Sequence, residues 1–486
     1  MDNKDNAPSL LSPEATGGLN AQQGFTYQSN LIVARIPSWL KDAGFTSFIS
    51  ESLGDVEAKF LDPSTGITRE FIEYKNHPLG PAEFWKEVSR FIQLDRGAPG
   101  VYRKFILASK GISPSVKPIL NSLSRLRDTT PFYSDTQVIN EQTYKDFLER
   151  VIDAGQDQEM ADFILAKVWF ETDIADAEAL PKEKFRESLY RAYPLFEELS
   201  GGQINRMYSG LVQLVDSRLG LPIHKNELKR LVWNNTPPGL NRPQTIQMHT
   251  IHNNKKQIFP TDWLVFDWEE FFCEDDRDFP NPQKWRNELL YQLRQTKTWI
   301  TSNNFSRQIY LSGHRRLSAS FAFGSVFSAV SGFHIEVKNR DGIWKTNSYP
   351  NAHTNEYRWK EFSTDIDNHT DLYITIGIKV GLQDEVTTFL DNEHSLGTRI
   401  HIKSNLALVS DKHINLAVEK AKEIIFRAIG KHDVNKVHLF LATPSHFALF
   451  LGHRLNTPTP IQCYERKAPN RYVPTCLVGP NDFKGN

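Results

Sequence analysis

Apolar and polar residues alternate over two neighbouring segments near the beginning of the chain. Residues 54–60 and 67–75 are both rich in β-prone residues, and a breaker cluster over residues 61–66 separates them. This pattern predicts two antiparallel strands joined by a turn. Because side chains alternate between the faces of a strand, Glu73 and Lys75 are expected to share one face.

The segments around this hairpin predict a mixed α/β core. Residues 17–40 and 82–94 have apolar positions at helical spacing, whereas 45–50 and 104–109 are short, mostly apolar runs that are typical of strands. A chain that mixes helices and strands in this order favours an α/β fold. Residues 113–233 have a helical pattern, which we interpret as a helical extension of the core.

A proline- and glycine-rich stretch divides the chain into two parts. Residues 234–243 contain three prolines and one glycine, a composition that favours turns and extended backbone over helix or strand. The whole chain, at 486 residues, is longer than a single domain usually is. We therefore predict one domain over residues 1–233, a linker over 234–243 and a second domain over 244–486.

The second half contains an internal duplication. A predicted strand that begins at residue 308, a polar loop and a helix around Gly324 recur as a strand that begins at 436, a loop and a helix around Gly452. The spacing is constant, because 436 − 308 and 452 − 324 both equal 128. Another predicted strand follows each helix. Two β-loop-α-β units predict two fused Rossmann-like halves with parallel strands and right-handed crossovers.

The loop after the first strand of each unit is a candidate ligand site. In parallel sheets, ligands collect at the carboxyl ends of strands, where the free N–H groups of helix N-termini attract phosphate. Neither loop has a GxGxxG or Walker A sequence, so an ordinary dinucleotide or ATP site is not indicated. Hydroxyl, imidazole, guanidinium and aromatic groups near the loops are the candidate ligand contacts: Ser312, His314, Arg315, Arg316, Ser318, Trp344, Thr443, Ser445, His446 and Tyr464.

Composition narrows the class of protein. A hydrophobic fraction of 39% and a charged fraction of 24% are ordinary for a globular protein in water. No run approaches the roughly 18 apolar residues of a membrane span. Three cysteines without a CxxC pair indicate neither a disulfide framework nor a zinc ribbon, and the charged N-terminus does not resemble a signal peptide. We therefore expect a cytoplasmic protein. Its formal net charge of −1 reveals no overall basic surface for nucleic acid.

The hairpin also carries the residue types of a metal-dependent phosphodiesterase. Asp55 lies 18 residues before Glu73 (73 − 55), on the partner strand, and Lys75 follows two positions later. Two carboxylates offer hard oxygen ligands for Mg²⁺, and a lysine can orient or help deprotonate water or offset charge in the transition state. This arrangement resembles the D…ExK core of restriction-endonuclease-like nucleases, PD-(D/E)xK. Gln28, on the first predicted helix, either reaches the metal or the DNA backbone or serves as a structural amide.

Two further stretches match the same short pattern. Residues 57–59 and 336–338 also have the sequence Glu-x-Lys, as a charged strand surface would by chance. Glu73 and Lys75 are preferred, because a strand with an aspartate and a turn precede them. Whether one or two metal ions are used stays open, since Glu51 is a candidate ligand for a second ion.

Both halves of the chain resemble known families. Residues 437–452 and 462–465 resemble a SAVED domain, which is a fusion of two CARF-like units. Residues 24–28, Asp55 and residues 73–75 are similar to the double-stranded DNA nuclease domain that is often joined to SAVED. The pairing of the two halves resembles the CD-NTase-associated protein 4 family, the effector endonucleases of bacterial antiphage signalling by cyclic oligonucleotides (CBASS).

This resemblance implies a gated nuclease. A cyclic oligonucleotide, commonly a cyclic trinucleotide made by a partner nucleotidyltransferase (CD-NTase), would bind the SAVED domain, promote assembly of a homo-oligomer and activate Mg²⁺-dependent cleavage of double-stranded DNA. By the family pattern, Asp55, Glu73 and Lys75 are catalytic, with Asp55 and Glu73 as metal ligands. Two other functions stay open: a non-catalytic sensor whose first half binds a partner or nucleic acid, and an ungated restriction-type nuclease.

Overall fold

The computed structural model describes most of the chain, which forms two compact units. The described residues are 13–129, 132–133, 136–172, 179–237, 245–251, 260–272, 279–339, 342–365 and 369–480, without the side chains of 13–26 and 179. The chain passes from the first unit to the second between residues 237 and 245. The helices of the first unit are α1 (Pro13–Lys41), α2 (Pro81–Gly97), α3 (Lys117–Thr129), α4 (Gln137–Asp153), α5 (Gln158–Lys167), α6 (Ala179–Ala192), α7 (Gly201–Asp216) and α8 (Lys225–Asn234), with a 3₁₀ turn at Pro194–Glu198. Its strands are β1 (Phe45–Ser50), β2 (Val56–Asp62), β3 (Gly66–Lys75), β4 (Tyr102–Ser109), β5 (Val168–Glu171) and β6 (Ile223–His224).

The first unit is built on one six-stranded mixed sheet. Its strands lie in the order β5-β4-β3-β2-β1-β6. β1 pairs antiparallel with β2 and β6, whereas β4 pairs in parallel with β3 and β5. The predicted hairpin is present as β2 and β3, which are adjacent in the sheet and are joined by the three residues from Pro63 to Thr65. The α/β class predicted for this half is confirmed.

Alternation along β3 separates two hydrophobic layers. Ile72 and Tyr74 pack with residues of α1, α6, α7 and α8, whereas Phe71 packs with residues of α2, α3, α4 and α5. Glu73 and Lys75 share the face of Phe71, because they follow it by two and four positions. The alternation therefore directs both side chains toward α2.

The helical pattern predicted for residues 113–233 is wrong in two places, where the structure has short strands. Val168 and Trp169 continue a helical pattern, but α5 ends before them and residues Val168–Glu171 form β5. β5 pairs in parallel with β4, where β-branched and aromatic side chains pack well. Arg127 donates hydrogen bonds to carbonyl oxygens at the end of α5, including that of Val168 at 2.7 Å, so the helix can end there with its carbonyls satisfied. The second strand, β6, extends the sheet beside β1.

The second unit contains two sheets with the same topology. Its strands are β7 (Thr245–Ile251), β8 (Trp263–Asp267), β9 (Gln308–Gly313), β10 (His334–Asn339), β11 (Gly342–Lys345), β12 (Lys360–Thr364), β13 (Asp371–Ile378), β14 (Thr398–Ser404), β15 (Lys436–Ala442), β16 (Ile461–Ala468) and β17 (Arg471–Val478). Its helices are α9 (Glu269–Phe272), α10 (Pro282–Lys284), α11 (Leu290–Ser302), α12 (Leu317–Val326), α13 (Gln383–Asn392), α14 (Asp411–Lys431) and α15 (Ser445–Arg454), with a π turn at Trp285–Leu289 and a 3₁₀ turn at Ala329–Ser331.

The strand orders match the duplication in the sequence. The first sheet has the order β8-β7-β9-β10-β11, and the second has β14-β13-β15-β16-β17 with β12 added beside β14. In each sheet the first four of these strands are parallel and the fifth is antiparallel. The helices α12 and α15 connect the corresponding parallel strands. The two halves with parallel strands that the duplication predicts are therefore present.

The helices α12 and α15 pack against each other through their backbones. A Cβ atom at Gly324 would lie 2.0 Å from the carbonyl oxygen of Leu449, and one at Gly452 would lie 2.2 Å from that of Phe321. The two contacts are equivalent, because 452 − 324 and 449 − 321 both equal 128, the offset of the duplication. Only glycine permits so close an approach of two backbones. The repeated glycines therefore explain why the duplication is detectable in the sequence.

The predicted linker is only partly described. Asn234 is the last residue of α8, so the helix extends one residue into the predicted linker. Residues 238–243 lie outside the described residues. None of the helices within the described ranges combines the length and the apolar character that crossing a membrane requires.

Candidate active site and ligand site

The loop between β1 and β2 brings Asp55 to the end of β3. The loop is tight, since the Glu51 N–H donates to the Asp55 carbonyl oxygen at 2.8 Å and Glu51 has a φ of 56°, a left-handed conformation that is strained for a non-glycine residue. Gly54 lies directly against β3, because a Cβ atom there would come within 2.3 Å of the Phe71 ring. Asp55 therefore immediately precedes β2, whereas the sequence pattern predicts it within the strand.

The carboxylate of Asp55 is held from two sides. Gln28 on α1 donates from Nε2 to Asp55 Oδ1 at 2.8 Å, and the backbone N–H of Tyr74 donates to Oδ2 at 2.5 Å. Because Tyr74 lies between Glu73 and Lys75 in β3, these contacts direct Asp55 toward both residues. Gln28 lies at the predicted site, where it orients Asp55.

Glu73 and Lys75 contact two charged residues of α2. Lys75 Nζ lies 3.2 Å from Glu73 Oε1 and 2.8 Å from Glu87 Oε1. Arg90 Nη1 lies 3.1 Å from Glu73 Oε2 and 3.2 Å from Glu87 Oε2. We call Asp55, Glu73, Lys75, Glu87 and Arg90 the carboxylate–cation cluster.

The sequence interpretation missed the contribution of α2. Glu83, Glu87 and Arg90 follow one another at intervals of four and three positions, so they line one side of the helix. Glu87 is only 6% exposed, and a buried acid requires a charged partner, which Lys75 provides. Glu83 is farther away, with Oε1 3.9 Å from Lys75 Nζ. The available signal was this row of charges beside the apolar face of the predicted helix.

Burial and neighbouring charges change the acid–base properties of the cluster. Burial, and then the negative charges of Glu73 and Glu51, raise the pKa of Asp55 to about 6. For Lys75 burial lowers the pKa, but the hydrogen bond to Glu87 and the charge of Glu73 outweigh burial, so the pKa is raised overall. Lys75 therefore carries a positive charge at neutral pH. That charge suits it to orient water or to offset negative charge rather than to remove a proton.

Asp55 and Glu73 have lone pairs available for a divalent metal ion. Glu73 Oε2 is buried and accepts no hydrogen bond from the described residues, and each oxygen of Asp55 accepts one. Mg²⁺ is commonly held through one or two carboxylates and keeps several waters, so this donor set fits the ion. Within the described ranges, no group of three or more His, Cys, Asp and Glu side chains is arranged to hold a metal ion. Glu51 therefore does not join Asp55 and Glu73 in such a group.

In each of the other two Glu-x-Lys sequences, the glutamate forms an ion pair with a cation on the neighbouring strand. Glu57 on β2 pairs with Arg69 on β3 at 3.0 Å. Glu336 on β10 pairs with Lys345 on β11 at 2.9 Å. Pairs of opposite charge on neighbouring strands are the usual arrangement on a charged sheet surface.

The loop after β9 holds a guanidinium at the carboxyl end of the first parallel sheet. Arg315 Nη1 donates to the carbonyl oxygens of Ser312 at 3.0 Å and Gly313 at 3.1 Å, and to Thr250 Oγ1 at 3.1 Å. Arg315 Nε is buried without a hydrogen-bond partner among the described residues. Burial lowers the pKa of Arg315 to about 10, and no acid counteracts that effect. The group is therefore a cation that lacks a counter-ion within the described part of the chain.

Trp344 and His446 lie at the same edge as Arg315. Trp344, which is 7% exposed, meets His446 edge to face with ring centroids 4.6 Å apart. Burial, and then the charge of Arg315, lower the pKa of His446 to about 4. His446 Nε2 and Thr443 Oγ1 are both buried without a partner among the residues described. The two predicted loops thus converge, and we call Arg315, Trp344, Thr443 and His446 the candidate anion site.

The helix N-termini beside the two loops differ. At the start of α12 the Ser318 N–H donates to Glu465 Oε1 at 2.8 Å, so a carboxylate of the protein already occupies that helix end. The start of α15 has no side-chain cap and no acidic residue in its first turn. Its free N–H groups and partial positive charge therefore favour an external anion. Ser445 begins this helix, and the exposed His314 lies on the opposite loop.

Two predicted ligand contacts near α12 have structural roles instead. Ser318 is 1% exposed, and its Oγ accepts a hydrogen bond from Thr475 Oγ1 at 2.8 Å, so it is not available at the surface. Arg316 lies over the rings of Phe272 at 5.1 Å and Phe279 at 4.5 Å. Both side chains contact other parts of the fold: Arg316 directly precedes α12, and Ser318 is the second residue of that helix.

Tyr464 is also placed differently from the prediction. Its hydroxyl shares a hydrogen bond of 2.8 Å with His438 Nδ1, and its ring stacks on Phe440 with centroids 4.4 Å apart. Phe389 and Tyr472 pack around the same group. Tyr464 therefore belongs to an aromatic cluster of the second sheet, which provides partners for both its ring and its hydroxyl.

Sequence reasoning missed one residue at the ligand site. Thr250, 1% exposed, is the last residue but one of β7, beside β9, and donates from Oγ1 to the carbonyl oxygens of Ser312 and His314, both at 3.2 Å. It also accepts the hydrogen bond from Arg315. A threonine at the carboxyl end of an apolar segment was the available signal, but the pairing of β7 with β9 is not local in the sequence.

Comparison with known proteins finds a family model in the second unit and relatives that span both units. Residues 292–478 match the model of the SAVED family, the SMODS-associated and fused to various effectors sensor domain. The chain is 25% identical over 478 residues to CD-NTase-associated protein 4 of Moraxella osloensis, with 96% of this chain and 98% of the relative covered. It is likewise 25% identical over 468 residues to CD-NTase-associated protein 4 of an Acinetobacter species, at the same coverage.

Solved structures share the fold over most of the chain. The Cap4 SAVED/CARF-domain containing receptor of Acinetobacter baumannii, solved with the cyclic trinucleotide 2′3′3′-cAAA, matches with a TM-score of 0.80 and 23% identity over 94% of this chain and 98% of that chain. The Moraxella osloensis Cap4 receptor matches with a TM-score of 0.74 and 23% identity over 94% of this chain and 100% of that one. The expected relationship is confirmed: this protein is a relative of CD-NTase-associated protein 4 and carries a SAVED domain in its second half.

Proposed function

We propose that this protein is a DNA endonuclease that a cyclic oligonucleotide switches on. The observation that carries the proposal is the convergence of Asp55, Glu73 and Lys75 at one edge of the first sheet. Similarity to CD-NTase-associated protein 4 over 96% of the chain supports it. The substrate would be double-stranded DNA, the reaction hydrolysis of its phosphodiester bonds, and the setting antiphage defence in the bacterial cytoplasm.

The residues of the carboxylate–cation cluster divide the chemistry between them. Asp55 and Glu73 would hold Mg²⁺, which when bound polarises the scissile phosphate and supplies bound water. Lys75, as a cation, would contact a phosphate oxygen or orient the attacking water and offset the negative charge that develops in the transition state. Gln28 keeps Asp55 in place through its hydrogen bond of 2.8 Å. Glu87 restrains Lys75 at 2.8 Å, so the amine stays beside Glu73.

The activating ligand in this proposal is a cyclic trinucleotide made by a CD-NTase. Its phosphates would bind at the candidate anion site, where Arg315 has no counter-ion among the described residues and no side chain caps the N-terminus of α15. Trp344 and His446 would line the same position with aromatic edges. The Acinetobacter baumannii receptor solved with 2′3′3′-cAAA supports this ligand class, since it shares the fold.

Gating requires that the ligand distinguish two states of the protein. A ligand that binds the inactive and active states equally shifts nothing, however tightly it binds. We propose that the preferred state is a homo-oligomer. With a formal net charge of −1 for each chain, a groove assembled from several copies would supply the basic surface that the single chain lacks overall.

A plasmid cleavage assay tests the proposal. Supercoiled plasmid is incubated with the protein and Mg²⁺, with and without a panel of cyclic di- and trinucleotides. The proposal expects degradation with at least one cyclic trinucleotide and Mg²⁺ together, and none when either is omitted. Intact plasmid under every condition would reject the nuclease, and cutting without any ligand would reject the gate.

A non-catalytic cyclic nucleotide sensor is the second candidate function. It is favoured by the observation that no group of three or more metal-binding side chains exists among the described residues. In that case the charges of the carboxylate–cation cluster would stabilise the fold or bind a partner. Ligand binding without any DNA cleavage would select this function.

A further inference from the structure

Arg90 lies where it competes for a carboxylate of the candidate metal site. One oxygen of Glu73, Oε1, faces Lys75 at 3.2 Å, and the other, Oε2, faces Arg90 at 3.1 Å. Oε2 accepts no hydrogen bond from the described residues, so its contact with Arg90 is one of charge without good hydrogen-bond geometry. Such a contact can be replaced by another cation more easily than an aligned, bidentate one.

The same side chain joins three parts of the site. Arg90 Nη2 donates to the carbonyl oxygen of Leu53 at 2.6 Å, within the loop that carries Asp55. Its guanidinium lies 5.5 Å from the centre of the Phe71 ring, which shares a strand face with Glu73. Arg90 thus links α2 to the loop of the first metal ligand and to the strand of the second.

We propose that Arg90 is an internal counter-ion that competes with the divalent metal ion for Glu73. A fixed positive charge about 3 Å from a ligand oxygen repels an arriving dication, so the metal ion binds fully when the guanidinium withdraws. Space for withdrawal exists, because the Arg90 side chain is 37% exposed. The inference rests on the proposed function for the identity of the site, but it concerns metal affinity and not DNA cleavage.

The consequence is a threshold for metal loading. While Arg90 contacts Glu73 Oε2 and the Leu53 carbonyl oxygen, the loop and the strand are held together without a metal ion. Metal binding then requires the loss of that contact, so the apparent metal affinity is the intrinsic affinity multiplied by the fraction of molecules in which Arg90 has withdrawn. Removal of the guanidinium charge should therefore tighten metal binding.

The test measures Mn²⁺ binding by calorimetry and electron paramagnetic resonance, on the full chain without DNA or cyclic nucleotide. Arg90→Ala and Arg90→Gln should each bind Mn²⁺ on the order of tenfold more tightly than the unsubstituted protein. Arg90→Lys, which keeps the charge, should bind as the unsubstituted protein does. Arg96→Ala is the matched control, because Arg96 lies on the same helix but pairs with Glu159, and its affinity should not change.

The double variant Arg90→Ala with Glu73→Gln tests whether the gain in Mn²⁺ affinity depends on the Glu73 carboxylate. The gain in affinity should disappear when Glu73 is neutralised. The inference is overturned if neither Arg90 variant gains affinity, if the gain survives Glu73→Gln, or if no variant has a stoichiometric Mn²⁺ site. A failure of the proposed nuclease is separate, since it would appear as intact plasmid whatever the Mn²⁺ affinities are.

Discussion

The carboxylate–cation cluster of the first unit and the candidate anion site of the second are charged in opposite ways. In the first, each cation has carboxylates of the protein as partners: Lys75 contacts Glu73 and Glu87, and so does Arg90. In the second, the described partners of Arg315 are carbonyl and hydroxyl oxygens, and no acid among the described residues offsets its charge. Within the described residues, the first site therefore has counter-ions of its own and the second has none.

This difference indicates what each site requires to work. A buried cation without an acid is stabilised by an external anion, so the second site gains from a ligand phosphate directly. Under the proposed function, the first site must exchange an internal ion pair for a metal ion and a DNA phosphate, and the loss of that ion pair offsets much of the binding free energy. A ligand-gated nuclease requires both properties: a sensor site that binds its anionic ligand readily and a catalytic site that binds its metal ion less readily.

The largest expected effect is the loss of DNA cleavage on substitution of Lys75. Lys75→Ala should lower the cleavage rate by about 10²–10³-fold or more, the range found when one electrostatic contact to a transition state is removed. Affinity for the cyclic oligonucleotide should stay unchanged, because Lys75 belongs to the first unit. Plasmid cleavage and calorimetry on the same preparation measure the two quantities. Lys59→Ala, at another Glu-x-Lys sequence, is the control and should cleave at the normal rate. Cleavage by the Lys75 variant at that rate would reject Lys75 as part of the active site.

The next largest expected effect is a loss of stability when the packing of α12 against α15, which supports the second site, is disturbed. Gly324→Ala places a methyl group 2.0 Å from the Leu449 carbonyl oxygen, so α12 and α15 must move apart. Overpacking of this kind costs about 1–3 kcal/mol, and the unfolding midpoint of the second unit should fall accordingly. Gly430→Ala is the control, because a Cβ atom there meets nothing within 4 Å. Equal stability of the two variants in urea would show that the helices do not need this contact.

The pH dependence of metal binding distinguishes the two sites further. Because the pKa of Asp55 is raised to about 6, its carboxylate becomes protonated below that pH and cannot hold a metal ion. Mn²⁺ affinity should therefore fall as pH decreases from about 7 to about 5, by up to about tenfold per unit below the pKa. The sign for stability is opposite: this group lowers the free energy of unfolding as pH rises from about 4 to about 6. In urea unfolding without metal, Asp55→Asn should remove this change of stability between about pH 4 and about pH 6, and a change that persists in the variant would assign the titration to another group.

The smallest expected effect is a change in stability, without a change in ligand affinity, when the aromatic cluster around Tyr464 is altered. Tyr464→Phe removes the hydrogen bond of 2.8 Å to His438 and should cost about 1 kcal/mol of stability. Ligand affinity should not change, because the ring packs against Phe440 within the second sheet. Urea unfolding and calorimetry test both statements. A large loss of affinity at unchanged stability would restore Tyr464 as a ligand contact.

Local patterns in the sequence were sufficient for some elements. The hairpin of β2 and β3 follows from alternation and a breaker cluster, both of which act within a few residues. The duplicated halves were detectable because Gly324 and Gly452 must both be glycine where the two helices touch. The shared face of Glu73 and Lys75 followed from alternation along β3, whereas Asp55 lies in the loop just before β2 and is held there by Gln28 and the Tyr74 N–H.

Contacts between distant elements were not predictable in the same way. Glu87 and Arg90 join the cluster because α2 lies across the end of β3, and nothing local in the sequence fixes that crossing. Val168 continues a helical pattern but pairs with β4, so tertiary pairing outweighed local preference. Ser318, the second residue of α12, faces Thr475 of β17 and not the ligand edge, and that contact too joins elements far apart in the sequence.

Activation curves for Arg315→Ala test the central claim most directly, namely that the two sites are separate and that the second gates the first. DNA cleavage is measured at saturating Mg²⁺ while the activating cyclic oligonucleotide is titrated, for the unsubstituted protein and the variant. The account predicts that Arg315→Ala shifts half-activation to about 10- to 100-fold higher ligand concentration and reaches the same maximal rate. An unchanged half-activation concentration with a lowered maximal rate would contradict it.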